Sequence, residues 1–161
     1  SDSDSIVSCT DLYAQRAVQF MPNNPFSYIW LSLDQLNSGD FLQGEESILK
    51  GIEISPADPN MNHFNATHYF ALLGQGRYDE ALVAIDKALR QHKAGLMLGF
   101  RAAVLGHLER GPEAKTALDR YLALRPNLKT RDDYRRIFVP NSALADPIIE
   151  GLVKADRKSA L

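Results

Sequence analysis

Residues 76–88, GRYDEALVAIDKA, constrain the possible folds of this chain more than any other stretch. Gly76 makes a turn and Tyr78 follows two residues later. Ala81, Ile85 and Ala88 then recur at spacings of four and three, which puts the small side chains on one face of a helix. Such a face lets a neighbouring helix come close. The stretch therefore reads as the second half of a helical hairpin.

The same pattern runs along the chain. From Ile6 to Met21 the apolar positions Val7, Leu12, Ala14, Ala17, Val18 and Phe20 fit one helix, which Pro22 ends. Asn24 is a capping residue and Pro25 a first-turn proline, which predicts a helix over 25–38. That helix carries Phe26, Tyr28, Ile29, Trp30, Leu31, Leu33 and Leu36, is apolar on more than one face, and needs cover beyond its hairpin partner. Gly39 to Phe41 turn the chain into a helix over 41–54 with Gly44, Ile48, Gly51 and Ile54, before Pro56. After the linker SPADPN, helices are predicted over 61–75, 78–91, 95–109 and 112–124, with Pro126 closing the last. Beyond it TRDD, residues 130–133, has the pattern of a capping box and opens a short helix bearing Tyr134, Ile137 and Phe138. A final helix over 145–155 carries Ile148, Ile149, Leu152 and Val153 as an apolar stripe. Residues 1–5, SDSDS, have no periodicity and read as a tail or remnant, and the missing initiator methionine marks an expected cut inside a longer protein.

The signature Gly76, Tyr78, Ala81, Ile85 and Ala88, recurring in successive hairpins, resembles the tetratricopeptide repeat. Ile85 stands where that family has an aromatic, and Lys93 where it has a closing proline. Units start near Pro25, Asn62 and Gly95, 37 and 33 residues apart, around the family period of about 34. The resemblance implies an all-α, right-handed superhelical array of antiparallel helical hairpins with a C-terminal capping helix pair. It assigns a half repeat to 6–22, repeats to 25–56, 62–93 and 95–126, and capping helices with a tail to 127–161. The ending PNLKTRDDYRRIF and then DPIIEGLVKA is similar to the closure of repeat regions in bacterial class III adenylate cyclases and winged-helix transcriptional activators. That likeness implies the sensory or interaction part of a larger bacterial signalling or transcription-regulating protein, although the chain ends KADRKSAL instead of the usual glycine-leucine.

The residues that carry chemistry point away from catalysis. His63 and His68 lie five apart, about 140 degrees around a helix, so they do not form the i, i+4 pair that binds zinc, and no metal site is expected. His92 and His107 stand alone, and Cys9 has neither a nearby histidine nor a glycine-framed elbow. Gly74 and Gly76 follow no strand and lack a third glycine, so they are turn glycines and not a phosphate cradle. Glu45, Glu46, Asp79 and Glu80 fall in first turns, where the helix dipole favours carboxylates. No cofactor is expected. With 18 basic and 20 acidic residues the net charge is -2, which lacks the footprint of a nucleic-acid binder. No apolar run reaches the roughly 20 residues of a membrane span. A single cysteine frees the fold from an oxidising compartment, so the cytoplasm is the expected location.

What remains is the surface such an array presents. By the resemblance, four positions of each first helix face a concave groove: Phe26, Ile29, Leu33 and Leu36, then His63, Ala66, Phe70 and Leu73, then Leu96, Gly99, Ala103 and Gly106, with Trp30 beside them. The lining is apolar and has none of the lysine, arginine or asparagine of a carboxylate clamp. Either the protein covers it, with the missing first helix of the half repeat, its C-terminal helix or a second copy, or an apolar helix or extended segment of a partner protein does. The expected function is thus protein–protein interaction, with a homodimer among the possible partners; a ligand sensor or enzyme using the concave cavity is the rival class. The run Arg110 to Arg136 holds eight basic and four acidic residues and reads as a solvated face, with a partner-docking edge as the alternative. If Ala81 faces a close helix contact, Ala81→Leu should cost roughly 1–3 kcal/mol in urea melts. An unchanged midpoint would place Ala81 in solvent.

Overall fold

The computed structural model describes residues 12–91, 95–138 and 140–157, so the readings of Cys9, His92 and Lys93 lie outside the described residues. Residues 12–20 are helical and are called α1 here. Then follow α2 (Pro25–Ser38), α3 (Phe41–Ile54), α4 (Met61–Gly74), α5 (Tyr78–Gln91), α6 (Gly95–His107), α7 (Gly111–Leu124), α8 (Arg131–Arg135) and α9 (Ala145–Arg157). Among the described residues there is no strand. No helix is long and apolar enough to cross a membrane.

Three hairpins, α2 with α3, α4 with α5 and α6 with α7, stack in order, α3 against α4 and α5 against α6. Each is turned by the same device. Gly39, Gly76 and Glu109 adopt φ of 92, 72 and 59 degrees, and each ends a helix in the left-handed region. The amide of the residue after each one reaches back five residues, from Asp40 to the Gln35 carbonyl, from Arg77 to Leu72 and from Arg110 to Leu105. The amides of Gly39, Gly76 and Glu109 themselves close on Leu36, Leu73 and Gly106. This Schellman arrangement satisfies carbonyls that the helix end would otherwise leave unpaired.

The helix starts also follow their residues. The Asn24 side chain accepts from the Phe26 amide at 3.0 Å, with Pro25 in the first turn. Thr130 and Asp133 complete a reciprocal capping box at the head of α8. Small residues sit where helices meet. Gly44 lies against Leu36, Gly51 against Phe64 and Tyr28, and Gly74 against Phe41. Ala81, Ile85 and Ala88 are fully buried. Tyr69 ties the second hairpin to the third: it is fully buried, stacks on Phe100 and donates its hydroxyl to the Phe100 carbonyl at 2.8 Å. Burial pushes its phenol well above the ordinary value.

The last helix does not continue the stack. α9 packs chiefly on α6 and touches α7 and α8 less. A Cβ at Gly106 would overlap the Gly151 carbonyl, and one at Gly151 would overlap the Ala103 carbonyl, so two backbones meet with nothing between them. Either Gly106→Leu or Gly151→Leu should therefore destabilise by at least the roughly 1–3 kcal/mol typical of overpacking. Val83→Leu, on an exposed face of α5, should leave the urea midpoint where it is.

Candidate functional site

Positions nine and twelve of the third unit, Ala103 and Gly106, lie directly beneath α9. By the repeat resemblance those positions face the groove, which would put α9 on the concave side, over the C-terminal part of α6. The segment leading into it continues toward the first hairpin. The Ala143 amide donates to the Asn37 carbonyl at 2.9 Å and the Ser142 hydroxyl to Asn37 Oδ1 at 2.5 Å, both at the C-terminal end of α2. Leu144, Ile148, Leu152 and Ala155 join Leu36, Leu73 and Ala103 in one apolar core. The chain thus fills this end of its own groove with its C-terminal segment.

The residues expected to line the groove separate accordingly. Ile29, Leu36, Leu73 and Ala103 are buried in the folded chain, which removes them from the reach of a partner. Gly99 is buried against the Tyr121 ring and Gly106 against α9. Phe70 is partly buried between Tyr69 and Phe100, and Leu33, Ala66 and Leu96 are half-buried. His63 is exposed. Phe26 and Trp30, one turn apart on α2, remain open: Phe26 rests edge-on against Phe64, while Trp30 is 64% exposed. On α1, Tyr13 and Phe20 are exposed to 70% and 81%, and Met21 just beyond it is exposed as well. Among the described residues most large apolar side chains left in solvent lie on α1 to α3, with Leu42 and Leu49 on α3, while Val83, Leu124 and Ile137 are exposed singly farther along.

Two polar clusters depart from the sequence reading. Glu45 does not cap its helix. From α3 it receives His68 of α4 at 3.2 Å, Gln75 at 2.7 Å and Arg77 at 2.7 Å, and Arg77 also holds Glu80 at 2.6 Å. Burial acts to raise the Glu45 carboxyl, but these donors outweigh it and hold the group below its ordinary value. The cluster clips the first hairpin to the second, a role that first-turn position alone does not reveal.

His107 does not stand alone. Its ring stacks on Tyr78, with centroids 4.4 Å apart and planes 5 degrees from parallel. Nε2 faces the Pro147 carbonyl at 2.6 Å and Nδ1 faces the Lys154 ammonium at 3.4 Å. A carbonyl only accepts and an ammonium only donates, so both contacts are satisfied by the neutral ring carrying its proton on Nε2. His107 thereby joins the signature tyrosine to both ends of the α9 contact. Among the described residues no group of three or more His, Cys, Asp or Glu is placed to hold a metal ion.

No protein-family model matches the sequence, and no curated relative matches it. Two solved structures share its fold over nearly the whole chain. The crystal structure of MamA superposes with a TM-score of 0.66 at 15% identity, covering 99% of this chain and 92% of that one. A crystal structure of MamA protein gives 0.65 at 14%, covering 99% and 86%. At these identities the likeness is one of fold, and the fold is an all-helical array of the tetratricopeptide type.

Burial, seconded by the Lys154 charge, lowers the His107 pKa, and the Pro147 carbonyl pulls the other way. The folded chain therefore favours the neutral ring. Its contribution should be fully present above the ordinary value of 6.5 and be lost as pH falls below it. Urea midpoints measured from pH 7.5 down to 5.5 should fall in the wild type and fall less in His107→Gln. Equal slopes would show that the ring titrates freely.

Proposed function

We propose that this chain is a protein–protein interaction module that receives an apolar segment of a partner on the open N-terminal end of the array. One observation carries the reading: Trp30 is 64% exposed on a helix that buries Ser27, Ile29, Ser32 and Leu36 on another face, and it shares its face with Phe26. Large exposed apolar groups gathered at one end of an otherwise well-packed fold mark an interaction surface. Phe26 and Trp30 are the residues assigned to it, with Leu33 farther along the same face. His63, Ala66, Phe70 and Leu96 form the part of the groove that α9 leaves accessible. A second copy of the chain is one occupant that fits.

A binding role without catalysis is the function that a stacked helical array, with its extended surface, supports best. A ligand sensor acting on the concave face would have to displace α9, because the chain's own helix occupies the space. The C-terminal sequence DPIIEGLVKA supports placing the module in a larger bacterial signalling or transcription-regulating protein, and its single cysteine supports a cytoplasmic setting.

Trp30→Glu tests the proposal, since a side chain this exposed can be changed without unfolding the domain. Burying a large aromatic contributes roughly 1.5–3 kcal/mol, whereas an exposed ion pair contributes about 0–1 kcal/mol. Trp30→Glu should therefore reduce self-association in sedimentation velocity and hydrophobic-dye binding more than Arg110→Glu or Lys115→Glu, with helicity unchanged. A wild-type chain that stays monomeric at high concentration and binds no dye would place the interaction surface elsewhere.

A further inference from the structure

On the side of the array away from α9, a cleft of about 740 Å³ opens between α5 and α7 with α6 as its floor. Three arginines converge on it, one from each helix: Arg90, Arg101 and Arg120. Asp86 is the one carboxylate in the lining. It takes Arg101 Nε at 2.8 Å and so fixes that guanidinium, while its two Nη groups keep their donors unused among the described residues. Arg90 and Arg120 are exposed and make no ion pair among the described residues. Leu89 and Leu98 supply an apolar floor. A chain of net charge -2 has thus concentrated three arginines against one carboxylate in a single depression.

The equivalent cleft one repeat earlier shows that this is not a general property of the stack. Its lining holds Asn65, His68, Val83, Ala84 and Lys87, each 33 residues before Leu98, Arg101, Thr116, Ala117 and Arg120 of the later cleft. There the volume is about 210 Å³. Glu45 takes the donor at the floor, His68, together with Gln75 and Arg77, and so closes the wall. In the later cleft the floor donor, Arg101, meets Asp86 through Nε alone, and Arg90 and Arg120 have no carboxylate partner among the described residues. Guanidinium groups with donors to spare favour carboxylates from elsewhere, because each can take one in a two-point, charge-assisted pair.

We infer that the cleft between α5 and α7 is a second binding site, separate from the apolar end, for an acidic peptide segment of a partner protein whose carboxylates meet Arg90, Arg101 and Arg120. Peptide is favoured over other anions by the shape and the chemistry. The space far exceeds a single phosphate, the leucines suit apolar side chains set between acidic ones, and among the described residues no aromatic ring lines the cleft on which a nucleic-acid base would stack.

The test uses the full chain and a fluorescein-labelled peptide of alternating glutamate and leucine, read by anisotropy at low and at physiological salt. The peptide should bind, weaken as salt rises, and lose at least about tenfold in affinity with Arg90→Glu plus Arg120→Glu. Both side chains are exposed and make no ion pair among the described residues, so the melt of that variant should match the wild type. Thr116→Trp, which fills the cleft without changing charge, should weaken binding too. Arg125→Glu plus Arg131→Glu, and Trp30→Glu, should leave it intact, which separates this site from the apolar end. The inference is overturned if the glutamine version of the peptide binds equally well, if the double reversal at Arg90 and Arg120 has no effect, or if inorganic phosphate or a single-stranded oligonucleotide displaces the peptide at equal concentration.

Discussion

Two helices can lie only as close as the side chains between them permit, and the approach of α9 to α6 is set by Gly106 and Gly151. Each glycine removes the atom that would strike the carbonyl of the other helix. The close crossing puts Ile148 and Leu152 into the main core and brings the Pro147 carbonyl to His107. It also carries the preceding segment across to Asn37, tying the third hairpin to the first through residues more than a hundred positions apart. An array of stacked hairpins ordinarily has contacts only between neighbours. Here the C-terminal segment adds a contact that skips a unit, so loosening α9 would affect the concave side as a whole.

The hairpins themselves were legible because their information is local. A glycine or proline at a turn, a capping asparagine and a stripe of alanine act within a few residues of where they stand, and the helices begin and end where those residues fall. The repeat register even locates the turn residue that lacks glycine. Glu109 occupies the slot of Gly39 and Gly76, with the same left-handed backbone and the same pair of reaching amides. The neighbouring contacts evidently hold it there against its own preference.

The site was less legible because its determinants are distant. Gly151 reads in sequence as one weak position in an amphipathic helix; only Gly106, 45 residues earlier, gives it meaning. Leu36, Leu73 and Ala103 have the composition of a groove lining, yet they are buried: Leu36 packs into the space left by Gly44 of its own hairpin, and Ala103 lies under Gly151 of α9. Glu45 and His107 likewise look ordinary until His68, Arg77, Tyr78 and Pro147 are brought to them by folding. Trp30 is the exception. An apolar excess around a whole helix is a local property, and its consequence, a large aromatic left in solvent, follows without knowledge of the rest.

The two ends of the array are consequently unlike. At the C-terminal end α9 lies across α6 instead of stacking as the first helix of another hairpin, and its buried face is spent on the concave side. At the N-terminal end, among the described residues, Tyr13, Phe20 and Trp30 are exposed and present large apolar side chains of the kind that elsewhere in the stack lie between one helix and the next. A helix added there would extend the existing packing without new architecture, because α3 on α4 and α5 on α6 already use the same type of contact. The glycine crossing is the source of this difference, because it lets α9 lie flat against α6 and turns the last helix inward instead of onto the end of the stack.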